Sequence, residues 1–305
     1  MKNELRLGRY RVEITHADKV LFPDGHLTKS DLLDYYLEIA PVMLPHLKDR
    51  PVVMERFPDG IDGAGFYHKD VPDYFPDWIE RLKVRKEGGS VTHLICRNAA
   101  TLAYLVNQNC ITPHSWLSRS DEIRNPDQLV FDLDPPGDFS AARHTAFALR
   151  DLLEEIGLRP YVKTTGSRGL HVVVVLDRSA NFDTVRAFAQ DVAVVLAERE
   201  PKRVTIEHRK AKRGQRVFVD TGRNAYAQTM APAYAVRPKP SAPVSTPITW
   251  DELEPGLDAQ SFHMKEVRRR LAQRRDPWAD MPRQARSLQE PKARLESVQT
   301  ANSKK

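Results

Sequence analysis

The run Gln-Leu-Val-Phe-Asp-Leu-Asp-Pro-Pro at 128–136 constrains this chain more than any other segment. Leu129, Val130 and Phe131 read as a buried strand, which Pro135 and Pro136 stop. Residues two apart on a strand project to one face, so Asp132 and Asp134 stand side by side at its end. Adjacent carboxylates repel unless a cation lies between them, and oxygen-only donors favour a hard divalent ion such as Mg²⁺ or Mn²⁺. Enzymes use such ions at acid pairs for phosphoryl transfer. Taken alone, the pair also fits a surface turn with two solvated acids.

The 305 residues suffice for one large domain or two small ones, and 41% hydrophobic with 29% charged residues fits a soluble globular protein. A net charge of +6 gives a mild preference for polyanions. Cys96 and Cys110 lie in apolar stretches without CxxC spacing, which excludes a disulfide framework or a zinc site. Buried thiols in a reducing cytoplasm are expected. The N-terminus lacks a signal-peptide core, and no apolar run approaches the ~20 residues that cross a membrane. The expectation is a soluble, cytoplasmic protein with no membrane partner.

Thr28 or Ser30 caps a helix whose stripe is Leu32, Leu33, Tyr36, Ile39 and Met43, bent or broken at Pro41 and Pro45. Strands are expected at 51–56, 92–96, 161–164, 170–176 and 217–220, and helices at 99–108, 140–156, 183–199 and 262–274. Without strict βαβ repetition, this mixture indicates an α+β enzyme. Residues 231–247 carry five prolines and read as an extended surface strap. Residues 1–275 are expected to be one compact catalytic unit. Residues 276–305 look like a polar, basic, flexible tail, because 12 Lys/Arg face 5 Asp/Glu from His263 onward.

Two further motifs carry chemistry. In Thr164-Thr165-Gly166-Ser167-Arg168-Gly169-Leu170-His171, glycines, hydroxyls, Arg168 and His171 suit phosphate oxygens, although an ordinary hairpin with a satisfied histidine fits as well. The spacing matches neither a Walker A loop nor a dinucleotide fingerprint. Val217-Phe218-Val219-Asp220 is a second apolar strand delivering an acid, which beside Asp132 and Asp134 would complete a three-carboxylate site for two metals. Such an aspartate is otherwise a cap or turn residue. Seven Lys/Arg within 202–216 would clamp a triphosphate or template if they stood beside that site, and form a solvated loop if not.

Asp-Leu-Asp-Pro, then Thr-Gly-Ser-Arg-Gly-Leu-His, then Val-Phe-Val-Asp resembles the three motifs of the archaeo-eukaryotic primase superfamily. More closely, the chain from about Ile14 to about Arg270 is similar to the polymerase domain of bacterial DNA ligase D. Supporting stretches are Asp18-Lys19-Val-Leu-Phe-Pro23 with Lys29, and Arg237 through Pro243-Val-Ser-Thr-Pro-Ile-Thr-Trp-Asp-Glu252. The resemblance implies a primase-polymerase fold, with two β-sheets forming a central cleft and helices flanking them. It implies Asp132, Asp134 and Asp220 as catalytic ligands of two Mn²⁺ or Mg²⁺ ions. Nucleotide contacts fall on His114, Thr165, Ser167, Arg168, His171, Arg213, Arg223, Thr229 and Arg237. Lys19 and Lys29 match a pair that grips a recessed 5′-phosphate, and Phe66 and Tyr67 match aromatics stacking near that DNA end. Thr165 replaces a serine common in the family, and Gln228 stands where some members carry lysine.

The implied activity is template-directed nucleotidyl transfer from NTP or dNTP onto gapped or broken DNA in non-homologous end joining, with ribonucleotides preferred. The ligase motif Lys-x-Asp-Gly is absent, so ligation is expected from a separate protein, with a Ku-like protein as a further partner and a nucleoid-associated location. Three alternatives remain at this point. One is a primase or gap-filling polymerase of another route such as excision repair. The others are a non-catalytic end-bridging module and a metal-dependent nuclease.

Overall fold

The computed structural model describes residues 3–302. In chain order its strands are β1 (Asn3–Leu7), β2 (Tyr10–Ile14), β3 (Val20–Phe22), β4 (Leu27–Thr28), β5 (Pro51–Arg56), β6 (Phe66–His68), β7 (Arg81–Lys86) and β8 (Gly89–Ile95). They continue as β9 (Cys110–Trp116), β10 (Gln128–Asp134), β11 (Tyr161–Thr164), β12 (Leu170–Val175), β13 (Val204–Thr205), β14 (Val217–Asp220), β15 (Thr229–Met230) and β16 (Pro247–Ile248). The α-helices are α1 (Lys29–Leu47), α2 (Ala99–Asn107), α3 (Phe139–Glu155), α4 (Phe182–Arg199), α5 (Lys210–Arg213), α6 (Met264–Gln273) and α7 (Gln289–Asn302). The α+β class expected from the sequence holds, and none of the described helices is long and apolar enough to cross a membrane.

These elements pack as two compact units rather than the single one expected, and the chain passes between them repeatedly. Among the described residues the first comprises 3–121, 229–246 and 261–276, and the second 122–228, 247–260 and 277–302. In the first, a sheet of order β15-β9-β5-β8-β7, with β6 added to β5, packs with α1 and α2. Thr28 caps α1 in a reciprocal capping box with Asp31. This helix runs unbroken through Pro41 and Pro45, both exposed. Their missing N–H groups therefore lie on the solvent side, while Leu32, Tyr36, Ile39, Met43 and Leu47 hold the buried stripe. The proline-rich strap is anchored here: the hydroxyl of Tyr35 donates to the carbonyl of Tyr234 (3.0 Å), and the amide of Val236 donates to the hydroxyl of Tyr36 (3.0 Å).

The second unit holds a sheet of order β13-β14-β10-β12-β11-β16, antiparallel except for β13 beside β14. Its central strands β10 and β12 are fully buried through Leu129–Phe131 and Val172–Val174, and α3 and α4 pack on them. The segment beyond Pro277 corrects the expected tail. Trp278 is buried, donates its indole N–H to the carbonyl of Val162 (3.2 Å) and sets its ring edge against Tyr161. The amide of Arg286 donates to the carbonyl of Val175 (3.1 Å), and Leu288 and Leu295 are buried. Trp278, Met281, Leu288 and Leu295, four apolar anchors spread over 18 positions, give no visible period, yet each is buried.

Candidate active site

Strand register in the second unit gathers the acidic residues. Asp132 of β10 lies directly opposite His171 of β12 on one side and Asp220 of β14 on the other, and His171 lies opposite Lys163 of β11. Lys163, His171, Asp132 and Asp220 thus form one row across four strands, and Asp134 shares the face of Asp132. The separation of 86 residues between Asp134 and Asp220 is closed by two antiparallel pairings onto β10.

The side chains of this row do not all point at one another. Asp134 takes Arg213 at 3.4 Å and Arg168 at 3.5 Å, one on each oxygen. Asp220 accepts the amide of Gly222 at 2.7 Å, and Asp132 lies 3.5 Å from Nε2 of His171. Among the described residues no three His, Cys, Asp or Glu groups converge as a metal-ligand set. The carboxylates have turned to cationic and amide partners, which relieves their mutual repulsion. The donor set nonetheless suits hard divalent ions, because three carboxylates share one face of the sheet. Burial alone would raise the Asp132 carboxyl, but His171, Arg223 and Lys163 outweigh it and keep the acid ionised. Burial and then Lys163 push the pKa of His171 down to about 4, against the pull of Asp132. Its Nδ1 is buried with no hydrogen-bond partner.

The phosphate-loop motif is built around one tight approach. A side chain at Gly169 would place its Cβ 1.9 Å from the carbonyl oxygen of Leu133, so only glycine lets this turn lie against the end of β10. The Thr165 hydroxyl, expected to meet a nucleotide, is spent inside the turn. It donates to the carbonyl of Gly169 (3.0 Å) and accepts the amides of Ser167 and Gly169 (3.2 Å each). Ser167 and Arg168 occupy the outer part of the turn, Arg168 exposed. Arg213 is fixed by donation to the carbonyls of Glu207 and His208 (2.9 Å each) and by lying 3.7 Å above the Phe218 ring. Arg223 is exposed on the turn that follows β14.

The remaining expected contacts lie in the first unit. His114 is buried, and its Nε2 is 2.8 Å from the carboxylate of Glu55, which also accepts the Tyr67 hydroxyl at 3.3 Å. Burial opposes ionisation of Glu55, but the His114 hydrogen bond and charge and the nearby Arg237 more than offset it. Arg237 has its Nε buried without a hydrogen-bond partner, and Thr229 pairs with Trp116 on β9. Lys29 is 2% exposed; its ammonium donates to the carbonyls of Thr15 (2.9 Å) and Asn107 (3.2 Å). Burial, with Lys19 beside it, lowers its pKa to about 8. Lys19 is half-buried and lies 3.6 Å from Asp59. Phe66 and Tyr67, adjacent on β6, face opposite sides of the sheet: Tyr67 meets Glu55, while Phe66 lies under Arg56.

Three positions escaped the sequence reading. Glu55 looked like one acid in an apolar strand, and Lys163 like one charge in another. Asn224, fully buried, accepts the amide of Val130 (2.9 Å) and donates back to its carbonyl (2.7 Å), holding the Arg223 turn on β10. The signal for Lys163 was available: a lysine in phase with the next strand's histidine.

A family model described as LigD, primase-polymerase domain, matches residues 28–278. The multifunctional non-homologous end joining DNA repair protein LigD of Mycobacterium tuberculosis is 37% identical over 274 residues, spanning 86% of this chain and 36% of that protein. The bifunctional non-homologous end joining protein LigD of Bacillus subtilis is 29% identical over 276 residues, spanning 90% of this chain and 44% of that protein. The chain therefore spans well under half the length of these curated relatives. A solved polymerase domain from Mycobacterium tuberculosis Ligase D, in complex with DNA, superposes with a TM-score of 0.85 at 34% identity, covering 90% of this chain and 99% of that one.

Proposed function

Because the chain belongs to the LigD primase-polymerase domain family, we propose that it is a template-directed nucleotidyltransferase acting on gapped or broken DNA during non-homologous end joining. The observation that carries this reading is the row Lys163–His171–Asp132–Asp220, with Asp134 on the same face. Asp132, Asp134 and Asp220 would hold two divalent ions, Mn²⁺ or Mg²⁺. Bound there, such ions lower the pKa of a primer 3′-hydroxyl and neutralise a nucleoside triphosphate.

The chain's own groups do the rest. Arg168 and Arg213, now on Asp134, supply fixed positive charge for phosphate oxygens once the carboxylate takes another partner. His171, with Nε2 3.5 Å from Asp132, would donate a ring N–H to a phosphate oxygen when the carboxylate takes another partner. The Thr165 hydroxyl keeps the loop closed, so nucleotide contact in this motif falls to Ser167, Arg168 and His171. In the first unit, Glu55 orients His114 and has Arg237 nearby, and His114, Arg237 and Thr229 are that unit's own candidates for nucleotide contact. Lys19, half-buried beside Asp59, and Lys29, whose ammonium donates to the carbonyls of Thr15 and Asn107, are the candidate pair for the 5′-phosphate. A Ku-like end-binding protein and a ligase activity are what this role needs beside it.

The test is incorporation of labelled ribo- and deoxynucleotides into a gapped, 5′-phosphorylated duplex with Mn²⁺ and Mg²⁺ compared. Template-directed incorporation, greater with ribonucleotides and Mn²⁺, is expected. Absence of incorporation with either ion would leave an end-bridging module instead.

A further inference from the structure

Tyr234, in the proline-rich strap, holds a left-handed backbone with φ of 68°, and its side chain is fully buried. That conformation is an outlier for an aromatic residue and persists only where the surroundings impose it. Within the first unit they do so at three atoms. The Tyr234 hydroxyl donates to the carboxylate of Asp276 at 2.5 Å, its carbonyl accepts the Tyr35 hydroxyl at 3.0 Å, and its amide donates to the carbonyl of Ser245 at 2.7 Å. Asp276 is itself only 9% exposed. Phenylalanine would serve packing alone, so the hydroxyl and this buried acid are a specific pair. The pinning continues to Arg237, three residues on. The amide of Val236 donates to the Tyr36 hydroxyl (3.0 Å), and its carbonyl accepts the Thr112 hydroxyl (2.6 Å). The amide of Ser245 donates to the carbonyl of Ala235 (2.9 Å), and that of Arg237 to the carbonyl of Pro243 (2.7 Å). Every residue from 234 to 237 thus has its backbone tied down. The Arg237 side chain, by contrast, keeps a buried Nε with no hydrogen-bond partner.

We propose that Tyr234, held by Asp276 and Tyr35, is a positioning residue that presets Arg237 for the phosphates of an incoming nucleoside triphosphate. This rests on the nucleotide reading of Arg237 above and adds to it the residues that act through that guanidinium. An arginine on a loose strap loses both backbone and side-chain freedom when it meets a triphosphate. On a fixed backbone only the side chain remains to be ordered, and affinity rises accordingly. Such an effect belongs to nucleotide binding rather than to the chemical step, because the contact is made alike in the ground state and the transition state.

Calorimetric titration of ATP with Mn²⁺ into the whole chain, with KM and kcat on a gapped duplex measured beside it, tests this. Tyr234→Phe, which removes only the hydroxyl, should weaken ATP binding and raise KM about fivefold while kcat stays within about twofold. Tyr35→Phe, which releases the Tyr234 carbonyl from outside the strap, should do the same. In an Arg237→Ala background neither change should weaken ATP binding further, since both act through the missing guanidinium. Binding to DNA ends should match the parent throughout. The positioning role is overturned if either hydroxyl variant binds ATP like the parent, if its deficit persists beside Arg237→Ala, or if kcat rather than KM carries the loss. A parallel loss of DNA binding overturns it as well, as damage to the whole unit. A parent that binds and incorporates ATP, with hydroxyl variants indistinguishable from it, sinks only the positioning role; a parent that neither binds nor incorporates ATP sinks the proposed function with it.

Discussion

Gly169 shows how one missing side chain fixes the site. Its turn lies so close to Leu133 that Gly169→Ala must push the loop off the end of β10. Overpacking of this kind costs about 1–3 kcal/mol. Thermal unfolding should show that loss, and primer extension should fall further than stability alone accounts for, because His171 follows two residues later. Lys29 makes a pH prediction. Its folded pKa, about 8 against an ordinary 10.5, means that the charge proposed to grip a 5′-phosphate is present at pH 7 and largely lost by pH 9 in the free protein. Preference for phosphorylated over unphosphorylated ends should therefore decline across that range, and Lys29→Arg should flatten the decline because arginine keeps its proton. A flat profile in the parent would contradict this. At this scale the acids were legible, since each ends an apolar run closed by a turn. Glu55 and Asn224 were not, because their partners lie 59 and 94 residues away.

Elements were legible where burial is periodic. The helices at 182–199 and 139–155 and the strands carrying the acids match the hydrophobic pattern closely. Pattern failed in both directions elsewhere. Prolines suggested a break in α1 that exposed positions do not require, and sparse anchors hid the packing of 277–302. That segment yields a clear test: Leu295→Ala should cost about 2–4 kcal/mol in denaturant unfolding, as a buried leucine does. A change within about 0.5 kcal/mol would mean a frayed tail after all.

At the level of the whole molecule, the family was readable from three motifs in order, whereas the division into two interleaved units was not. No local signal marks a chain that leaves one core and returns to it. One consequence is that residues 1–121 should not fold alone. They lack Tyr234, whose carbonyl accepts the buried Tyr35 hydroxyl, and the segment around Val236 that covers Tyr36, and circular dichroism of that fragment should show no cooperative melt. The account as a whole depends on acids from two adjacent strands acting together. Primer extension by Asp220→Ala, beside Asp132→Ala, measures this most directly, with DNA binding followed in parallel. Both variants should lose extension by about a thousandfold or more while binding DNA as the parent does. Extension by Asp220→Ala at the parent's rate would contradict it.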